Sequence, residues 1–152
     1  MKVYVASSWR NDYQQDMVCK LRKAGYEVYD FKHPANGCAG FHWGEIDPDW
    51  QKWNTDHYRA ALEHDYAKFG FNRDIDNMRD AEACVLVLPC GKSAHLEAGW
   101  MKGAGKKVIA YIPPFYRMEP ELMYKLLDGI AADIPELLAM LANAGGEVSD
   151  AK

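Results

Sequence analysis

The chain has 152 residues and a formal net charge of -4, with 49% hydrophobic and 26% charged residues. That length fits one domain with a core of its own, and the composition is that of a soluble globular protein. The negative balance leaves no basic footprint for nucleic acid, and no apolar run approaches a membrane span. Cys19, Cys38, Cys84 and Cys90 show neither CxxC pairing nor zinc-ligand spacing. They read as reduced thiols, and MKVYVASSW is too short and polar for a signal peptide, so a cytoplasmic protein is expected.

Lys2 to Ala6, KVYVA, is a short β-rich run, followed by the polar stretch SSWRN. Met17, Val18, Leu21 and Ala24 then recur at helical spacing between Asp12 and Gly25, and Gly25 is a helix stop. YEVYDF, from Tyr26 to Phe31, alternates as a strand does. Lys32 to Pro48 is rich in Gly and Pro and lacks periodicity, and a loop of that length is more often functional than idle. A helix is expected from Asp49 to Lys68, capped by Asp47 or Asp49 and ended by Gly70, with Asn72 or Asp74 opening a second one to Asp80.

Cys84 to Leu88 is almost wholly apolar, as a strand buried on both faces is. The next helix carries Glu97 and runs to about Gly105, whose place after Lys102 suits a left-handed residue. Lys107 to Ile112 is a fourth strand, GIAAD holds a short fifth, and Glu119–Leu127 and Pro135–Ala144 read as helices. Strands alternating with helices imply an α/β fold. The expectation is an open parallel sheet of four to five strands in the order 2-1-3-4-5, with helices on both faces. One domain spans 1–144, with an aromatic loop and helix inserted at 32–68, and a polar tail follows at 145–152.

Such sheets bind ligands outside the carboxyl ends of their strands, where Ser7 to Asn11 and Pro89 to Glu97 would gather. With Ser93 as N-cap, Glu97 falls at the fourth helical position, one beyond that of a capping box. An ionised, oriented carboxylate is what a covalent glycosyl-transfer nucleophile must be. A surface glutamate that complements the helix dipole would have the same local sequence. Asp74 is either an N-cap or a second carboxylate of the same pocket, and two such groups can divide ionised and proton-assisting roles. Ser7, Ser8, Arg10 and Asn11 suit a phosphate, a ribose or a base edge, or simply cap a helix. Lys92 and Ser93 offer further phosphate contacts. Trp43, with Trp50 and Trp53, can sandwich a base, or form satellite core or part of a subunit interface. Gly99 and Gly103, four apart, suggest close packing of their helix against the sheet or another backbone. The histidines lack HxxxH or HExxH spacing, so neither metal nor other cofactor is expected.

Three stretches together resemble the nucleoside 2-deoxyribosyltransferase-like superfamily, which includes deoxyribosyltransferases and 2′-deoxynucleoside 5′-monophosphate N-hydrolases. VYVASSWRN, Val3 to Asn11, is similar to its opening strand with a tyrosine and a Ser/Gly–Arg loop. Asp74 stands eight residues before Glu82, and SAHLEAGWMKGAGKKVIAYI is similar to its Glu-x-Gly helix, Gly-Lys and strand. The resemblance covers most of the chain. It implies that Glu97 attacks C1′ of a nucleoside or nucleotide, that Asp74 assists departure of the base, and that Tyr4 orients the carboxylate. It further implies a homodimer or higher homo-oligomer whose neighbouring subunits complete the site. The alternatives are a non-catalytic nucleotide-sensing module and a NAD-cleaving enzyme.

Overall fold

The structure, a computed structural model, describes residues 1–34 and 39–143. Cys38 and the expected tail at 145–152 lie outside them. Five strands, β1 (Lys2–Ala6), β2 (Glu27–Tyr29), β3 (Ala83–Val87), β4 (Lys107–Tyr111) and β5 (Gly129–Ala131), form one sheet. All pairings are parallel and the order is β2-β1-β3-β4-β5, as expected. The helices are α1 (Tyr13–Lys23), α2 (Thr55–Leu62), α3 (Asp65–Asp80), α4 (Lys92–Gly103) and α5 (Ile134–Ala142). Among the described residues no helix is long and apolar enough to cross a membrane. Two compact units result: residues 1–29 with the chain from Ala81, and residues 30–80.

In the first unit the period of two along each strand decides which helix each face meets. Val3, Val5, Val85, Val87 and Ile109 face Met17, Val18 and Leu21 of α1 and Leu137 and Leu141 of α5. Each fully buried aliphatic side chain contributes roughly 1.5–3 kcal/mol. The alternate residues Tyr4, Cys84 and Leu86 turn to the other face, where α4 lies over β1, β3 and β4. Gly25 and Gly105 follow α1 and α4 with φ of 92° and 78°, the left-handed conformation that favours glycine. The Asp133 carboxylate caps α5 by accepting from the Glu136 N–H at 2.8 Å.

The helix expected over Glu119–Leu127 is instead a short 3-10 stretch, Leu122–Leu126. Pro120 removes a backbone donor, and the Glu121 carboxylate accepts from the Met123 N–H, which starts the turn there.

Asp128 ties the end of this segment to β4. Its Oδ2 accepts from the Val108 N–H at 2.7 Å, its Oδ1 accepts from Lys102 Nζ at 2.6 Å, and its own N–H donates to the Val108 carbonyl. Burial works to raise the Asp128 carboxyl, but the Lys102 and Val108 hydrogen bonds outweigh it and hold it below its ordinary value. A lowered folded-state pKa gives stability that is present above the unfolded value and lost as pH falls through the folded one. Asp128→Ala is therefore expected to cost about 1.5–3 kcal/mol near neutral pH. The difference from wild type should shrink in urea melts as pH drops below the ordinary aspartate range. A pH-independent difference would refute the electrostatic part of this assignment.

In the second unit the helix expected from 49 to 68 is divided. Trp43–Glu45 and Trp50–Lys52 are 3-10 turns, so Trp50 and Trp53 precede α2. The α2 cap is Asn54, whose side chain accepts from the His57 N–H at 2.9 Å, and not Asp47 or Asp49. Asp47 instead accepts from Trp53 Nε1 at 2.6 Å. The break comes after α2, where His64 Nδ1 accepts from the Tyr66 N–H at 3.1 Å. Gly70 does not break anything: α3 runs through it. A Cβ there would meet a Phe41 ring carbon at 3.1 Å, so the glycine makes room for that ring.

Candidate active site

The strand order reverses between β1 and β3, the switch point where ligands of open α/β sheets bind. The two loops leaving these strands are stitched together by buried side chains. Ser7 Oγ donates to the Val87 carbonyl at 2.8 Å and accepts from Asn11 Nδ2 at 2.9 Å. Asn11 Nδ2 also donates to the Val87 carbonyl at 3.1 Å, and Asn11 Oδ1 accepts from the Tyr13 N–H at 2.9 Å. Ser7 and Asn11 thus fix the loop after β1 to the end of β3, and Asn11 rather than a serine satisfies the start of α1. Ser8 Oγ accepts from the Arg10 N–H at 3.2 Å. The Arg10 side chain is exposed and makes no ion pair among the described residues.

The chain enters α4 through Gly91, which is extended and serves as the N-cap in place of Ser93. Lys92 and Ser93 are exposed in the first turn. Glu97 therefore lies in the second turn, beyond the reach of the terminal dipole. Capping and dipole compensation, the two ordinary reasons for an acid near a helix start, do not account for it there.

Ala94, Ala98 and Met101 are the buried residues of α4 and set its sheet-facing side. Glu97 sits on one flank of that side and is half-buried. Burial pushes the Cys84 thiol far up, and the negative charge of Glu97 adds to the effect. The Cys90 thiol is pushed up to about 12 by the same two causes in the same order. The Glu97 carboxylate is thus within electrostatic reach of both thiols. Cys84 is the register partner of Tyr4 across β1 and β3. Tyr4 is fully buried, and its ring stacks on Tyr29 with centroids 5.5 Å apart. Glu97, Cys84 and Tyr4 accordingly belong to one face of the sheet.

Asp74 and Trp43 belong to the second unit. Asp74 is an interior residue of α3, not its N-cap, and its Oδ1 lies 3.9 Å from Arg73 Nε. Trp43 is the hub of an aromatic cluster, with ring centroids 4.7 Å from Phe41, 5.6 Å from Trp53 and 5.8 Å from Tyr58.

The other flank of α4 borders an open groove of about 1000 Å³ within the first unit. Cys90, His95, Gly99 and Gly103 line it beside Met123 and Tyr124. The Gly91 carbonyl can only accept, so His95 Nδ1 donates to it at 2.8 Å. In the neutral imidazole Nε2 then accepts from the Tyr124 hydroxyl at 2.7 Å. No local pattern marks this pair, since its members are 29 residues apart. Gly99 and Gly103 do not press on the sheet or another backbone as expected. Both are exposed, and a Cβ on either would meet nothing within 4 Å. Among the described residues no three His, Cys, Asp or Glu side chains form a metal-ligand set.

Thiol labelling checks the placement of Glu97. Exposed Cys19 is expected to react fast, buried Cys84 only on unfolding, and Cys90 slowly. Removing the nearby negative charge in Glu97→Gln should speed Cys90 labelling by roughly 2- to 10-fold. An unchanged rate, followed by mass spectrometry of the Cys90 peptide, would contradict the proximity.

The chain has the fold of two solved enzymes. One is a 2-deoxyribosyltransferase from the psychrotolerant bacterium Bacillus psychrosaccharolyticus, with a TM-score of 0.54 and 18% identity over 97% of this chain and 93% of that one. The other is the CMP N-glycosidase BcmB of Clostridium botulinum, with a TM-score of 0.50 and 17% identity over 93% of this chain and 99% of that one. No protein-family model matches the chain, and no curated protein matches it in sequence.

Proposed function

We propose that the chain belongs to the nucleoside 2-deoxyribosyltransferase-like superfamily and cleaves or transfers the N-glycosidic bond of a nucleoside or nucleotide. The observation that carries this reading is the position of Glu97. It is a half-buried carboxylate in the second turn of α4, within electrostatic reach of Cys84, the register partner of Tyr4. The two enzymes of the same fold, one transferring deoxyribosyl groups and one cleaving an N-glycoside, support the reaction class.

In this mechanism a Glu97 oxygen bonds to C1′ as the bond from C1′ to the base nitrogen breaks. The bonding pair leaves with the base, and Asp74 supplies a proton or hydrogen bond to it. Tyr4 holds the carboxylate in line. Water or a second base then attacks C1′ and releases Glu97, with overall retention. Ser8, Arg10, Lys92 and Ser93 supply donors for a phosphate or the sugar hydroxyls, and Trp43 a face for the base. Ser7 and Asn11 serve by holding the loop that carries Ser8 and Arg10.

The test is base release from a panel of ribo- and deoxyribonucleosides and their 5′-monophosphates, read by chromatography with and without an acceptor base. Wild type should release a base from at least one member, and Glu97→Ala from none. No turnover by wild type over the whole panel would overturn the reading.

A further inference from the structure

One face of α3 builds a small cationic pocket within the second unit. Tyr66, Phe69, Gly70 and Arg73 recur at i, i+3, i+4 and i+7, so they share that face. Phe41 closes it, with its ring stacked on Tyr66 at a centroid distance of 5.2 Å and against the bare Cα of Gly70. These five residues line a cavity of about 90 Å³. Arg73 is its charged group. The Arg73 side chain is 19% exposed, and its guanidinium carbon stands 5.7 Å from the Phe69 ring centroid. Its Nε is buried and has no hydrogen-bond partner among the described residues. The Asp74 carboxylate, 3.9 Å from Nε, attracts the cation but is too far to accept from it. A ring face attracts the cation as well, yet offers no oxygen to the N–H. Folded proteins rarely leave a buried donor unfilled, and a guanidinium out of water needs an anion more than a neutral donor does.

We propose that this pocket binds a small oxyanion, a phosphate group either free or at the end of a ligand, with Arg73 as its anchor. Size selects that class. A water molecule takes about 30 Å³ of the liquid, so the cavity holds about three waters. One phosphate fits such a space, and a nucleobase or sugar ring does not. Chemistry selects it too. A guanidinium presents Nε–H beside an Nη–H as a fork that matches two oxygens of one phosphate. Aromatic walls keep the local dielectric low, which strengthens the attraction. Asp74 opposes it, because its charge competes for the same guanidinium. Ser8, Arg10, Lys92 and Ser93, the phosphate donors named above, belong to the first unit, so the pocket is not made from them. The inference does not rest on the glycosyl chemistry proposed for Glu97.

Calorimetric titration of the full chain with inorganic phosphate, at constant ionic strength and without nucleoside, tests this. Wild type is expected to bind saturably with a Kd at or below about 1 mM. Arg73→Gln should weaken that binding at least ~30-fold. Asp74→Asn removes the competing charge and should tighten it roughly 3- to 10-fold, a gain that a merely structural role for Arg73 would not give. Circular dichroism checks that each variant is folded. Should Arg73→Gln not fold, Arg73→Lys takes its place, and should weaken binding about tenfold because a point charge lacks the fork. A second arm repeats the titrations with a nucleoside 5′-monophosphate. An equal loss there in the Arg73 variant assigns the pocket to the phosphate of a ligand, and a loss for inorganic phosphate alone assigns it to the free anion. Three results overturn the proposal: no binding of phosphate by wild type, binding that the Arg73 variant leaves intact, or an affinity that Asp74→Asn does not change.

Discussion

Glu97→Gln is expected to lower kcat by roughly 10⁴-fold on whichever nucleoside or nucleotide the wild type cleaves, about 5 kcal/mol of lost transition-state stabilisation. The amide keeps the size and most contacts of the carboxylate but cannot form the ester to C1′. Glu97 is half-buried on a flank of α4 and the sheet-facing positions are Ala94, Ala98 and Met101, so the fold should survive the exchange. KM should change little, since substrate contacts fall to other residues. Glu97→Ala adds a discriminating readout. If the missing group is a nucleophile, added formate or azide should restore part of the turnover by attacking C1′ from the vacated side. A merely orienting glutamate gives no such rescue. Turnover of Glu97→Gln within about tenfold of wild type would exclude covalent catalysis by this residue.

The parts of the fold read correctly from sequence are those where one physical rule acted alone. KVYVA and the run from Cys84 to Leu88 are buried on the sheet, and burial fixes their hydrophobic pattern directly. Gly25 and Gly105 ended helices because a left-handed residue is needed there. Errors arose where tertiary contacts overrode a local preference. Gly70 looked like a breaker, but its lost helix propensity, about 1 kcal/mol, is set against close contact with Phe41. Ser93 is the better N-cap by propensity, yet the path out of β3 makes Gly91 the cap and moves Glu97 two residues further in. At that position neither capping nor dipole compensation accounts for the acid. Gly99 and Gly103 were read as closely packed because sequence reports spacing, not which side of a helix is covered. Ser7 and Asn11 were visible as polar residues after a strand, but their common acceptor, the Val87 carbonyl, lies 80 and 76 residues away in sequence.

Asp74→Asn should show whether the second carboxylate supplies a proton to the departing base. For ordinary nucleosides the expected loss in kcat/KM is roughly 10²- to 10⁴-fold, the range for general acid–base assistance. For a substrate whose base already carries a positive charge, such as an N7-methylated purine, the base leaves neutral and needs no proton. There the loss should fall below about tenfold, by the same reasoning. Retained structure makes the comparison clean. Asp74 is an interior residue of α3 whose side chain is 29% exposed, 3.9 Å from Arg73, and asparagine keeps its shape. A loss equal for both substrate types would assign Asp74 to substrate binding alone, and leave departure of the base to be assisted by another group.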